Sequence, residues 1–313
     1  MKTSPPEVLT YAEHAADIIT KAAELIKDGQ RFALITSLAI EGGAAREVGS
    51  LALVAESGAM TGYLSNGCID RDIQLHGVAA LQSGDKTLIR YGDGSRFADL
   101  KLPCGGALDV LIDPNPDINA LLAAKQGFDA RQAVTLAFSA DVQGELVTRR
   151  FTYAPPVQLY LAGRGAIFRT LAQAGHASGF HIGLASPDRL DLDAIGHLAK
   201  HPPLHLTTHD QAGALDQLDA HSAFLTLFHD HDWEPGLLKS ALATDAHFVG
   251  SLGSQRTHAL RCETLRQMGV SEGALSRLRG PIGLVPSLRD ASFIAVSALA
   301  EIVAAFPSAI RRD

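Results

Sequence analysis

The sequence predicts an α/β protein of two domains, and three observations carry that prediction. The chain has 313 residues, about twice the usual length of one domain. Ala154-Pro155-Pro156 stiffens the backbone and ends strand pairing, so it marks a boundary. Before it, strands pair as hairpins beside helices. After it, short apolar strands alternate with helices, the pattern of a parallel sheet covered on both faces. The expected domains are residues 1–154, a mixed α/β fold, and residues 155–313, a doubly wound parallel sheet.

The elements follow in chain order. Residues 8–28 carry Val8, Leu9, Ala12, Ala15, Ala16, Ile19, Ala22, Ala23 and Ile26 at helical spacing, and Gly29 is a natural stop. Residues 32–38 read as a strand, and 50–55 with 60–64 as a hairpin turned at Glu56-Ser57-Gly58. A helix over 69–81 precedes strands at 86–91 and 107–112, after which Asp113-Pro114-Asn115-Pro116 punctuates the chain. Residues 133–138 and 146–151 form a further expected hairpin. Past the boundary, the strand 157–162 leads into a glycine turn and a helix over 167–177. Strands follow at 179–185, 204–207, 223–228 and 247–249. This order predicts a Rossmann-like domain. A last helix, 290–306, carries Phe293, Val296, Ala300 and Val303 along one face.

Composition narrows the function classes. Apolar residues make up 46% and charged residues 19%, the balance of a globular chain with a sizeable core. The net charge of −7 argues against nucleic acid or an anionic membrane as partner, since both need a positive field. The N-terminal stretch lacks a signal-peptide apolar core, and the apolar run 293–306 is too short to span a bilayer. Three cysteines (Cys68, Cys104 and Cys262) make no disulfide framework, so a reducing cytoplasm is expected.

Six features bear on chemistry. Gly163-Arg164-Gly165 sits between a strand and a helix, as a phosphate-binding turn requires. Phe168 stands where a dinucleotide turn has its third glycine, and Ser186 where the ribose-binding acid belongs, so ordinary NAD(P) is disfavoured. In Asn66-Gly67-Cys68-Ile69-Asp70 a thiol near a helix N-terminus is suited to metal binding, sulfur transfer or attack, or is simply a small buried residue. Cys104-Gly105-Gly106 allows close approach of a ligand or makes a tight turn, and Cys262 reads as structural. The fourth-residue spacing of His197, His201, His205 and His209 is accidental, because Pro202 and Pro203 break any helix there. His229-Asp230-His231-Asp232 follows a strand and offers His229 and His231 as metal ligands, or Asp232 as a helix cap. Gly250-Ser251-Leu252-Gly253-Ser254-Gln255-Arg256 makes a second anion cradle or an ordinary turn capped by Ser254. Gly280-Pro281-Ile282-Gly283-Leu284 is a rigid apolar loop able to line a pocket.

Together these segments resemble the XdhC/CoxI family of molybdenum-hydroxylase maturation proteins, over nearly the whole chain. The resemblance rests first on Glu41-Gly42-Gly43-Ala44-Ala45-Arg46-Glu47-Val48-Gly49, on the Gly62 to Asp70 stretch and on Cys104-Gly105-Gly106. It continues through the Gly163 turn, the His229 cluster, the Val249 to Arg256 stretch, Gly280 to Leu284 and the closing helix. Two departures make the chain a divergent member: Asn66 and Asp70 replace a glycine and a glutamate around the cysteine, and Phe168 replaces a glycine.

The resemblance implies a homodimeric factor that carries molybdenum cofactor as cargo. Such a factor supports its sulfuration with a cysteine desulfurase and delivers it to a molybdenum hydroxylase apoenzyme. The metal end is then expected at Cys68 and Cys104, with Asn66 and Gly67 also contacting the cofactor, and the phosphate at Gly163 and Gly165 or at Gly250, Ser251, Gly253, Ser254 and Arg256. A maturation factor is expected rather than a catalyst. An NAD(P)-dependent oxidoreductase and a non-catalytic docking scaffold are the alternatives.

Overall fold

The computed structural model describes residues 9–95, 105–142, 144–209, 215, 217–229 and 232–312. The chain divides into two compact units, one of Met1–Pro155 with Ser308–Asp313 and one of Pro156–Pro307.

The first unit runs β1 (Leu9–Thr10), α1 (Ala15–Lys27), β2 (Phe32–Glu41), β3 (Leu51–Ala55), β4 (Met60–Gly62), α2 (Asp70–Ser83), β5 (Thr87–Gly92), β6 (Ala107–Asp113), α3 (Ile118–Asp129), β7 (Val134–Val142) and β8 (Glu145–Tyr153). A six-stranded sheet has the order β1-β4-β3-β2-β6-β5, antiparallel except between β1 and β4. Its central strands are buried on both faces. Leu34 and Leu53 pack with Ile19 of α1 and Phe128 of α3, while Ile35 and Val54 pack with Ile73 of α2. Two buried faces explain why these strands read as unbroken apolar runs rather than as alternation. β8 pairs with β7 on one side and with a further strand, Ile310–Arg312, on the other, in a second antiparallel sheet.

α3 is absent from the sequence expectations. Its start is nevertheless specified, since the Asp117 carboxylate accepts the Ala120 backbone N–H at 3.0 Å. Its buried positions are Leu121, Ala124 and Phe128, a narrow stripe at helical spacing.

The second unit runs β9 (Gln158–Gly163), α4 (Gly165–Ala177), β10 (His181–Ser186), α5 (Arg189–Ile195), β11 (Leu204–His205), β12 (Ser222–Leu227), α6 (Glu234–Leu242), β13 (Phe248–Ser251), α7 (Gln255–Gln267), α8 (Glu272–Leu275), β14 (Leu278–Arg279) and α9 (Ala291–Ala305). All its sheet pairs are parallel, in the order β11-β10-β9-β12-β13-β14. Leu159, Leu161 and Leu225 pack with Phe168 of α4 and Ala298 of α9. Tyr160 and Phe224 pack with Leu237 of α6 and Leu265 of α7. Helices therefore cover both faces, and this is the doubly wound Rossmann architecture expected from the strand–helix alternation. Chain direction across the sheet reverses between β9 and β12, which places the switch point at the ends of those strands. No helix among the described residues is long and apolar enough to cross a membrane.

At the switch point the backbones come close. A Cβ on Gly163 would stand 2.6 Å from the Leu227 Cβ and 2.8 Å from the Leu227 carbonyl oxygen. Gly163→Ala should therefore cost about 1–3 kcal/mol by overpacking, read as a lower urea midpoint. An unchanged midpoint would show that the two strands part freely.

Candidate functional site

Cys68 lies on the loop between β4 and α2, and Asn66, Gly67 and Cys68 are all exposed. What shapes this loop is Asp70, only 1% exposed, the first residue of α2. Its Oδ1 accepts the backbone N–H groups of Leu64 and Ser65 at 2.8 and 3.0 Å. Its Oδ2 accepts the Gly67 N–H at 2.9 Å and the Ser65 hydroxyl at 2.8 Å. The Ser65 Oγ in turn accepts the Ile69 N–H at 3.1 Å. Gly67 takes φ +93°, a left-handed turn that a glycine makes without strain. One buried carboxylate thus draws the loop around itself and leaves the thiol on the outside. Cys68 is not the small buried residue that was its alternative reading.

Cys104 lies outside the described residues, but the glycines that follow it do not. A Cβ on Gly106 would stand 2.5 Å from the Glu41 carbonyl oxygen and 2.6 Å from that of Gly43. The two glycine-rich loops therefore meet backbone to backbone. Close by in sequence, Arg46 stacks its guanidinium 4.6 Å from the Tyr63 ring centre and donates to the Glu13 carbonyl at 2.5 Å. Tyr63 donates its hydroxyl to the Glu13 carboxylate at 2.5 Å. That bond, and secondarily burial, raise the phenol's pKa above its ordinary value.

In the second unit, the turn after β9 already holds an anion of its own. The Asp191 carboxylate, from α5, accepts the Gly165 N–H at 2.6 Å and pairs with Arg169 Nε. Asp191 is 2% exposed. A helix N-terminal N–H that a pyrophosphate would use is satisfied internally. Phe168 is fully buried, and the close helix–sheet approach is made further along, where a Cβ on Gly175 would meet Leu159 at 2.7 Å.

The second glycine turn splits between core and surface. Gly250 and Ser251 are buried at the end of β13, with the Ser251 hydroxyl in a network with Thr226 and Glu234. Gly253, Ser254 and Arg256 are exposed, and Ser254 caps α7 by accepting the Thr257 N–H at 3.1 Å. Gly253 and Ser254 line a cavity of about 580 Å³ together with Pro281, Ile282, Gly283 and Leu284, the rigid loop marked in the sequence.

His229 is exposed just beyond β12, and Asp230 and His231 lie outside the described residues. Asp232 does not cap α6. The N-cap is Trp233, without a side-chain bond, and Pro235 opens the helix. Among the described residues no group of three His, Cys, Asp or Glu side chains is placed to hold a metal ion. Asp191, Glu234 and Arg261 were not singled out in the sequence, because nothing local marks a carboxylate or guanidinium whose partners lie tens of residues away.

Comparison with known proteins agrees with the two units. Residues 159–302 match the model of the XdhC Rossmann domain, and residues 25–92 that of the XdhC and CoxI family. The chain is 29% identical over 309 residues to the molybdenum cofactor insertion chaperone PaoD of Escherichia coli, covering 95% of this chain and 90% of that protein. It is 24% identical over 290 residues to the uncharacterized protein YqeB of Escherichia coli, and spans 46% of YqeB's length. Among solved structures, a Bacillus halodurans protein described as a xanthine dehydrogenase superposes with a TM-score of 0.74 at 18% identity, covering 92% of this chain and 95% of that one. That last likeness concerns the fold. With both glycine-rich loops, the cysteine turn and the parallel sheet in place, and both halves matched by models of one lineage, the chain belongs to the XdhC and CoxI family.

Proposed function

We propose that this protein is a maturation factor that binds molybdenum cofactor, shelters it during sulfuration and delivers it to a xanthine dehydrogenase-like apoenzyme. The observation that carries the reading is the exposed Cys68 thiol on a loop pinned by a buried carboxylate, in a chain similar along 95% of its length to a cofactor insertion chaperone. A soft sulfur donor suits molybdenum or a relayed persulfide sulfur. Cys104 is the second thiol of the proposal, and His229 and His231 are the alternative donors at the metal end. The exposed Gly253, Ser254 and Arg256 supply donors for a phosphate. A cysteine desulfurase is the proposed sulfur source, a homodimer the proposed assembly and the cytoplasm its proposed location. The Asp191 carboxylate on the Gly165 N–H weighs against a nicotinamide dinucleotide at that turn.

The test is the molybdopterin and molybdenum that co-purify with the wild type, Cys68→Ser and Cys104→Ser from a cofactor-producing host. Loss of a metal-ligating thiol should lower retention by on the order of tenfold or more, at least what a supporting residue of a metal site is worth. Undiminished molybdopterin in both variants would remove the thiols from the proposal.

A further inference from the structure

The wall between α1 and the loop after β2 encloses a cavity of about 390 Å³, lined by Glu13, His14, Ala15, Arg46, Ser50 and Ser308 among others. Two buried polar atoms on it, Arg46 Nε and Ser50 Oγ, lack a hydrogen-bond partner among the described residues, and both are able to donate. α1 starts at Ala15, and its N-cap residue His14 makes no side-chain bond to the first turn. The positive end of a 13-residue helix therefore faces this region without a side-chain cap. Ser50 is 2% exposed, and its Oγ has no hydrogen-bond partner among the described residues. The buried Nε of Arg46 has none either. The rest of that guanidinium is held by the Glu13 carbonyl, the Tyr63 ring and a long 3.4 Å contact to the Tyr63 hydroxyl, so no carboxylate neutralises it among the described residues.

Two acids line the cavity and both are engaged, while Asp17, in the first turn of α1, is exposed and is not part of the lining. Glu13 accepts from the Tyr63 hydroxyl, and Glu47 from the Ser308 hydroxyl. A buried hydroxyl and a buried guanidinium nitrogen left unpaired are costly in a folded protein, and such orphans commonly mark the place of an absent ligand.

We propose that this cavity is an oxyanion site that takes a phosphate group, with Arg46 Nε, Ser50 Oγ and the first turn of α1 as its donors. The occupant is either free phosphate or the terminal phosphate of a phosphorylated ligand. On the chaperone reading, on which this last step rests, it is the phosphate of the molybdenum cofactor. This assignment puts the phosphate in the same unit as Cys68 and replaces the Gly253–Arg256 turn as its place; the Gly165 turn is already occupied by Asp191.

Calorimetric titration of the full chain with inorganic phosphate tests the site itself. The wild type should bind saturably. Ser50→Ala and Arg46→Met should each weaken binding about tenfold or more, as expected for lost hydrogen bonds to a charged group. Lys125→Gln, a charge loss on α3, should leave the affinity unchanged. Ser50→Ala also separates ligand binding from folding, because deleting an unpaired hydroxyl should leave the phosphate-free unfolding midpoint unchanged or raise it. No saturable binding by the wild type, or wild-type affinity in Ser50→Ala and Arg46→Met, overturns the site.

Co-purifying molybdopterin then identifies the occupant. Its loss in Ser50→Ala supports the cofactor's phosphate. Full retention alongside lost phosphate binding overturns that assignment and leaves a site for free phosphate. A wild type that binds phosphate but never carries molybdopterin ends the chaperone reading and leaves the oxyanion site standing.

Discussion

Asp70→Ala should destabilise the first unit by about 3–5 kcal/mol, because its carboxylate is the acceptor for four donors of one loop. Leu64, Ser65 and Gly67 would lose the acceptor of their N–H groups, and Ser65 that of its hydroxyl. Leu64 and Ser65 are buried, so water does not replace the lost oxygen, and each stranded donor costs about 1–3 kcal/mol. Gly67 is exposed and recovers most of its share from solvent. Asp70→Asn should be milder, about 1–3 kcal/mol, since an amide keeps one acceptor oxygen but turns an N–H₂ toward the remaining donors. Urea unfolding gives the size of the effect. Amide hydrogen exchange gives its place, with Leu64 and Ser65 losing protection first. A loss below about 1 kcal/mol for the alanine variant would mean that the loop holds without its carboxylate. The same variant is informative about function. If the fixed loop is what presents Cys68, molybdopterin retention should fall in Asp70→Asn even where the fold survives.

How far the sequence disclosed this architecture depends on the range of the signal. The second unit was readable because β9, β10, β12 and β13 are short apolar runs separated by helices, a pattern written within each few residues. β2 and β3 were readable for the same reason. α3 was not, because its buried stripe is only Leu121, Ala124 and Phe128, while its other large apolar residues, Ile118 and Leu122, are exposed and blur the period. The terminal strand Ile310–Arg312 was not either. Three residues carry no periodicity, and they are a strand only because Tyr153, Thr152 and Phe151 stand opposite.

The apolar face of α9 shows the limit of pattern from another side. Phe293, Val296 and Val303 are 60%, 63% and 60% exposed, while the core takes the smaller Ala295 and Ala298 beside Leu299 and Ile302. Periodicity identifies an apolar stripe, but not which stripe the sheet receives. The site divides in the same way. Glycine turns and the Cys68 loop are local and were located. The groups that fix or fill them, Asp70's four donors, Asp191 on Gly165 and the unpaired Ser50, are facts of tertiary packing.

The second large effect is expected at Glu234 and Arg261, which are 1% and 5% exposed. Arg261 donates Nε and Nη2 to one carboxylate oxygen at 3.1 and 2.9 Å, and Nη2 also reaches the Leu252 carbonyl at 2.9 Å. The other carboxylate oxygen accepts the Ser251 hydroxyl at 3.1 Å, and Thr226 donates to Ser251 at 2.6 Å. Thr226 Oγ1 also lies 3.2 Å from that carboxylate oxygen, so the two hydroxyl protons are shared within a Thr226–Ser251–Glu234 triangle. Glu234→Leu leaves a buried guanidinium without its counter-charge, and Arg261→Met leaves a buried carboxylate. Either should cost about 3–5 kcal/mol. The double variant should recover much of that loss, because a well-packed apolar pair removes both desolvation penalties together with the unpaired Arg261 Nη1. The signature is therefore non-additivity, a coupling of several kcal/mol in a double-mutant cycle. Additive losses would show that the ion pair is incidental to the packing around it. The network also constrains the second glycine turn. The Ser251 hydroxyl is committed to Glu234, so Ser251→Ala should lower the unfolding midpoint. A phosphate held at that turn would instead depend on Ser254 and Arg256, whose side chains are exposed.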